Sequence, residues 1–305
     1  MALAGIAIGI GRAMQSRRLW AWGVEELAQA VINAAMLGVL ISWVVATDAL
    51  TASWVDSTGL HCPELAEMQN KPLYFFSCAA SQAQAGTLPV ISQLSALSYK
   101  FGWLSDLTIN ANVITSKPFS SFSDVASTYW SEASVLSSLL SLIQIHSQFL
   151  ALISQSAFAI FLPTGLLLRM FFATRKLGGA IMAAAIGFYI VYPLAYSSLL
   201  APSQLFDSLS AAHSSLEQAA NYLAAVPIAD LGKSGDVAVL VANLSGGDLP
   251  VLSTLAFQPL AAAKASLALA FIVYPLISLA LTLVAIRELY LALSAEFNLN
   301  LFEIM

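Results

Sequence analysis

The sequence predicts an all-α membrane protein, a polytopic bundle of four transmembrane helices with further amphipathic helices in two large extracytoplasmic segments. Three observations predict it. Of the 305 residues 59% are apolar and only 10% charged, a balance far from that of a soluble domain. Four apolar runs, 27–46, 135–162, 177–200 and 260–286, each supply the roughly 20 helical residues that a hydrocarbon core of ~30 Å requires. The basic residues alternate from side to side between those runs. Arg12, Arg17 and Arg18 precede the first, Arg169, Arg175 and Lys176 lie between the second and third, and Arg287 follows the fourth. Enrichment of Lys and Arg close to span ends marks the cytoplasmic side, so a multi-pass cell-membrane protein with both termini cytoplasmic is expected.

Residues 1–26 form the first element. The apolar stretch 1–11 is too short to span, and no basic residue precedes it, so a cleaved signal peptide is not expected. An interfacial helix running into the first span is expected instead, with Trp20 and Trp22 at headgroup depth. The first span, 27–46, presents Glu26, Gln29 and Asn33 on one face of its inner half. The outer segment 47–134 follows. Its residues Leu88, Ile91, Leu94, Leu97, Phe101 and Leu104 recur at helical spacing, as expected of a helix lying against a partner or in the interface plane. The chain's two cysteines, Cys62 and Cys78, both fall in this segment, and a disulfide between them fits an oxidising compartment. The predicted bond closes a loop whose stabilisation is about 3 kcal/mol on chain-entropy grounds.

The second span, 135–162, carries a polar stripe. Ser134, Ser137, Ser141, Gln144, Gln148 and Gln155 fall within a sector of about 80° at ~100° per residue. Polar side chains facing lipid find no partner, so the stripe is expected to face protein or water. Helix–helix hydrogen bonding and a water-filled path are the two readings of it. His146 lies off the stripe. A cytoplasmic elbow, 163–176, leads to the third span, 177–200. A second outer segment, 201–259, repeats helical spacing at Leu205, Leu209, Leu216 and Leu223 and contains the sequon Asn243-Leu244-Ser245. The two outer segments read either as a cap over the bundle or as a surface for another protein. The fourth span, 260–286, precedes a cytoplasmic tail, 287–305. Lys264 near its outer end is expected to snorkel.

Spans three and four share a pentapeptide. Ile190-Val191-Tyr192-Pro193-Leu194 recurs as Ile272-Val273-Tyr274-Pro275-Leu276. Proline within a span removes a backbone donor and kinks the helix, leaving a carbonyl for a neighbour or water. Pro193 and Pro275 are therefore kink residues that shape the bundle or hinge it. An inverted duplication would also produce such a pair.

Chemistry is sparse. No HExxH, GxSxG, Walker or CxxC pattern occurs, and neither polar stripe places a carboxylate at mid-membrane, which disfavours ion-coupled pumping. Two cysteines with His61 lack zinc-ligand spacing. The chain reads as a non-enzymatic protein with no catalytic residue, metal site or cofactor. No basic tract suggests an ordinary nucleic-acid surface, so a nucleic-acid role would be transport.

The run Leu162-Pro163-Thr164-Gly165-Leu166-Leu167-Leu168-Arg169, continued by Thr174-Arg175-Lys176-Leu177-Gly178-Gly179 and by Ile186-Gly187-Phe188-Tyr189-Ile190-Val191-Tyr192-Pro193-Leu194, resembles archaeal polytopic proteins of the CedA type. These are membrane components of a crenarchaeal DNA-import system, similar in role to the polytopic inner-membrane subunit of conjugation and type IV secretion machines. A weaker likeness covers the first span and Ile286-Arg287-Glu288-Leu289. The resemblance implies a subunit through or around which single-stranded DNA passes, working with a cytoplasmic ATPase and a small pilin-like membrane subunit. A monomeric four-helix bundle is too narrow for DNA, so a pore implies a homo-oligomer. The rival classes are a membrane platform for a pilus or surface complex and a small-solute transporter.

Overall fold

A computed structural model describes residues 2–58, 62, 71–111, 114–117, 119–170, 174–225 and 248–294. The expected N-terminal helix is two helices. Helix α1 (Ala2–Ala13) ends at a tight turn and the chain folds back as α2 (Arg17–Thr58). Gln15 takes φ 52° at the turn. The Ser16 N–H reaches the Gly11 carbonyl at 2.9 Å and the Gln15 N–H that of Arg12 at 3.2 Å, the bond pair of a Schellman stop. Gly11 is required there, since a Cβ would lie 2.6 Å from the Trp20 nitrogen.

Helix α3 (Lys71–Ser105) and helix α4 (Phe122–Ser156) run antiparallel, joined through strands β1 (Ile109–Ala111) and β2 (Ile114–Ser116). Ser98 Oγ donates to the Ala126 carbonyl at 2.8 Å, and Phe101 stacks on Tyr129 at 5.6 Å. Helix α3 thus starts well before the stripe that announced it. Its early residues Phe75, Phe76, Ala79, Ala80 and Ala83 are as buried as Leu94 and Leu97, and the small ones let the neighbouring helices approach closely. It packs along the bundle as one of its helices.

Helix α4 continues through a π-turn, π1 (Ala157–Phe161), into α5 (Leu162–Met170). After the elbow come α6 (Arg175–Ile186), π2 (Gly187–Val191) and α7 (Tyr192–Leu200). Helix α8 (Leu205–Ala225) buries Leu205, Leu209 and Leu216 at the predicted spacing. Helix α9 (Asp248–Ala268), π3 (Leu269–Val273) and α10 (Tyr274–Ser294) complete the chain. The Leu223 side chain and Asn243 lie outside the described residues.

Four spans were expected. Among the described residues three helices are long and apolar enough to cross a membrane: Phe122–Arg169, Arg175–Leu200 and Phe257–Leu293. They contain the runs 135–162, 177–200 and, with its start within α9, 260–286. The fourth expected span, 27–46, lies inside the 42-residue α2, several of whose side chains are outside the description. The elements overrun the predicted bounds because helix continues wherever packing supports it, whatever the solvent outside. The architecture is an all-α bundle of membrane character. Its largest buried cluster joins α3, α4, α7, α8 and α9, and two small clusters lie toward the elbow, around Ala185 and Ile190 and around Met182 and Leu293.

Candidate functional site

Pro193 and Pro275 do not simply break their helices. Each follows a five-residue π-turn that ends two residues before it, and Pro163 follows π1 in the same way. The N–H groups of Leu162, Tyr192 and Tyr274 reach back five residues, to the carbonyls of Ala157, Gly187 and Leu269. In α geometry the proline ring collides with the carbonyl four residues back. Widening by one residue moves that carbonyl aside, and the helix resumes beyond it.

One carbonyl per turn then loses its donor, because the next nitrogen in the pattern is proline's. In π3 this is the Ala270 carbonyl, and Tyr196 of α7 donates its hydroxyl to it at 2.8 Å. Tyr196 and Ala270 are both fully buried. An unmade hydrogen bond there would cost about 1–3 kcal/mol. The bond ties the third predicted span to the fourth at the proline.

An aromatic layer surrounds this bond. The Phe76 ring meets Tyr196 edge-on at 4.6 Å and lies 6.4 Å from both His146 and Phe271. His146 Nε2 pairs with the Tyr192 hydroxyl at 3.2 Å, and Phe149 stands edge-on to Tyr192 at 5.9 Å. Ser197 Oγ donates to the Pro193 carbonyl at 2.6 Å within its own helix and also lies 3.2 Å from the Pro72 carbonyl. Four helices meet in one layer of Tyr, Phe and His. Edge-on aromatic pairs with their polar tips bonded hold such a layer in one geometry.

The polar stripe of α4 is elsewhere. Ser137, Ser141, Gln144, Gln148 and Gln155 are all exposed on the single chain, on the side opposite the buried Leu136, Ile143, Leu150 and Ile153. Ser137 Oγ turns back to the Ala133 carbonyl at 2.9 Å and Ser141 Oγ to that of Ser137 at 3.0 Å. Gln144, Gln148 and Gln155 make no hydrogen bond to any described residue. Among the described residues the stripe therefore does not pack helices within one copy of the chain.

At the elbow, α5 and α6 are in backbone contact. A Cβ on Gly178 would stand 2.6 Å from the Gly165 carbonyl oxygen and 2.6 Å from the Arg169 nitrogen, so only glycine fits there. Arg175 Nη2 pairs with Glu26 Oε1 at 3.1 Å and ties α2 to the elbow. Arg169 is buried, with Nε and Nη1 unpartnered among the described residues.

Two expectations concern the outer segments. Cys62 and Cys78 are bonded to each other, with Cα atoms 6.1 Å apart, which fastens the chain before α3 to its second turn. Lys264 does not snorkel. Its Nζ lies 2.6 and 2.8 Å from the two carboxylate oxygens of Glu132 on α4, a counter-ion supplied within the bundle. Tyr196, Phe76 and the Glu132–Lys264 pair were not marked by the sequence, since their partners lie far away along the chain. Pro163 carried a usable sign, a proline within an apolar run.

Comparison of the chain with protein-family models, with curated proteins and with solved structures found no match.

Proposed function

We propose that this chain is a four-span, oligomeric membrane subunit, channel-forming or scaffolding, of a DNA-import apparatus. The single observation that carries the oligomer is the pair Gln148 and Gln155. Both amides are exposed, and exposed Phe149, Leu152 and Ile160 flank them. Facing acyl chains, each amide would lose all its hydrogen bonds, at several kcal/mol per group. A second copy, or water enclosed by several copies, supplies the missing partners. Helix α2 serves as the first span in this reading, which puts both termini and the elbow in the cytoplasm under the positive-inside rule.

DNA as the substrate is supported by the resemblance over 162–194, and the small number of basic residues in the spans suits a polyanion that must slide without being held. The chain has no nucleotide-binding motif, so energy would come from a cytoplasmic ATPase, with the pilin-like subunit as a further membrane partner. A second reading, a platform without a channel, is favoured by the length of α3 and α4, 35 residues each, against the roughly 20 that a membrane span requires.

Cysteines at Gln148 and Gln155 test the oligomer. Oxidation in native membranes is expected to yield covalently joined copies, and a chain that stays monomeric at both positions contradicts the proposal. Gln148→Leu with Gln155→Leu separates the two readings. Loss of DNA uptake at unchanged membrane level and unchanged oligomer mass in mild detergent supports a channel. Uptake that falls only in step with the amount of oligomer supports a platform.

A further inference from the structure

We infer that the lipid belt begins at Ile145 on α4 and at Leu269 in π3, so that the outer half of the bundle stands in water as a helical head. This goes beyond the proposed function and does not rest on the oligomer.

Length comes first. The continuous helices Phe122–Arg169 and Phe257–Leu293 have 48 and 37 residues, about 72 Å and 55 Å at ~1.5 Å per residue. A hydrocarbon core of ~30 Å holds roughly 20 residues. The excess protrudes, and its direction is fixed. At the elbow, α5 and α6 are in backbone contact at Gly165 and Gly178, next to Arg169 and Arg175. Arg175–Leu200 has 26 residues, little more than one crossing. The surplus of the other two therefore lies at the end away from the elbow.

Surface chemistry marks the boundary. On α4 the exposed residues before position 145 include Asp124, Thr128, Ser131, Ser134, Ser138 and Ser141, with Trp130 and Val135 the large apolar exceptions. From there on, Ile145 is 64% exposed, Leu152 63%, Ile160 58% and Leu167 61%. The other long helix changes in the same way. Among the described residues no large apolar side chain is exposed from Phe257 to Ala268, whereas Leu269, Ile272, Leu276, Leu281 and Val284 are exposed in succession. Exposed apolar side chains in such a row mark a surface facing lipid.

The two changes occur at one height. His146 and Phe271 both lie 6.4 Å from the Phe76 ring, one and two residues past the two switch points. A flat bilayer surface demands that agreement, and two unrelated packing accidents do not supply it. The part-exposed Glu132–Lys264 pair stands above this height, Glu132 about 20 Å from Ile145 along α4 and Lys264 about 8 Å from Leu269 along α9 at ~1.5 Å per residue.

The stripe is divided by this boundary. Ser137, Ser141 and Gln144 belong to the wall of the head, and Gln148 and Gln155 lie at the depth of the lipid belt. Outside the face around Gln148 and Gln155, the partner of the surface below Ile145 is the acyl region of the bilayer. The surface above it, ending in the β1–β2 hairpin, is aqueous, with Leu88, Tyr99 and Trp103 of α3 joining Trp130 and Val135 as its large exposed apolar side chains.

Single nitroxide labels at Ser134, Ser138, Ser141, Leu276 and Leu281 test this in phosphatidylcholine vesicles. The native disulfide is kept, since Cys62 and Cys78 are bonded and no free cysteine is found. Collision with a water-soluble nickel chelate is expected to exceed collision with oxygen at the three serines, and the order is expected to invert at Leu276 and Leu281. Oxygen dominance at Ser138 and Ser141 would place the belt edge near residue 135 and overturn the inference. Exclusion of both reagents at the serines would mean that protein covers the face and would overturn its aqueous assignment. Neither result bears on cross-linking at Gln148 and Gln155, so the two proposals fail separately.

Discussion

The pentapeptides 190–194 and 272–276 are identical in sequence and in backbone, yet the protein uses them differently. Both end a π-turn at valine and resume α-helix at Tyr-Pro. Above them the equivalent positions diverge. Tyr196 stands four residues after Tyr192 and bonds the Ala270 carbonyl. Ser278 stands four residues after Tyr274, and its buried hydroxyl has no partner among the described residues. The first residue of each turn diverges as well. Gly187 is closed in by Ile286, whose Cδ1 would lie 2.9 Å from an added Cβ, whereas Leu269 is 46% exposed. Local sequence sets the turn, and the neighbours decide what it is for. Pro163 sharpens the point. It makes the same π-turn after Ala-Ile-Phe-Leu, with no trace of the pentapeptide, so the turn does not require that sequence.

The comparison breaks most sharply at the first residue of the turns. Gly187→Leu drives a side chain into Ile286 and Thr282, and overpacking of this kind costs about 1–3 kcal/mol or more. Leu269→Ala is expected to stay below about 1 kcal/mol, because its side chain already faces outward. Melting temperatures in one detergent check both, and equal losses would contradict the packing difference described.

Next is the residue four after the tyrosine. Tyr196→Phe leaves the Ala270 carbonyl buried without a donor and is expected to cost about 1–3 kcal/mol. Ser278→Ala removes a hydroxyl that has no partner, so no loss or a slight gain in thermal stability is expected. A loss of equal size in both variants would show that the two positions are equivalent after all.

The smallest effect is a coupling. Pro275→Ala supplies an N–H in reach of the carbonyls of π3, so the cost of Tyr196→Phe is expected to shrink in that background. A double-mutant cycle reads the difference, expected at about 0.5–1 kcal/mol. Strict additivity would mean that the tyrosine bond has nothing to do with the proline.

What was legible in the sequence was what composition or a short spacing encodes. Membrane character followed from long apolar runs, the disulfide from two cysteines confined to one segment, and the helical outer segments from leucine spacing. Proline foretold a carbonyl that needs a neighbour, and Tyr196 is that neighbour. The faults have physical causes too. An apolar side chain buried against α3 and one bathed in lipid look alike in a sequence, so the run 135–162 gave no sign that its surface changes at Ile145. The pairing of Lys264 with Glu132 joins residues 132 positions apart, beyond any local pattern. The N-terminal turn uses Gln15 where glycine is the usual mark, and α3 begins at Lys71 among small residues that announce no helical face.

The π-turns have one more consequence, which concerns phase. Each accommodates one residue more than an ideal α-helix of the same length, so the helix leaves the turn rotated by about 100° relative to how it entered. The faces of α5, α7 and α10 are thereby set out of step with those of α4, α6 and α9. A helical wheel drawn straight through 157–161, 187–191 or 269–273 assigns later residues to the wrong side. Each turn is, in effect, an insertion held in place by its proline. Removing one residue from it rotates everything downstream, so that the outward face of each later segment is turned toward its neighbours.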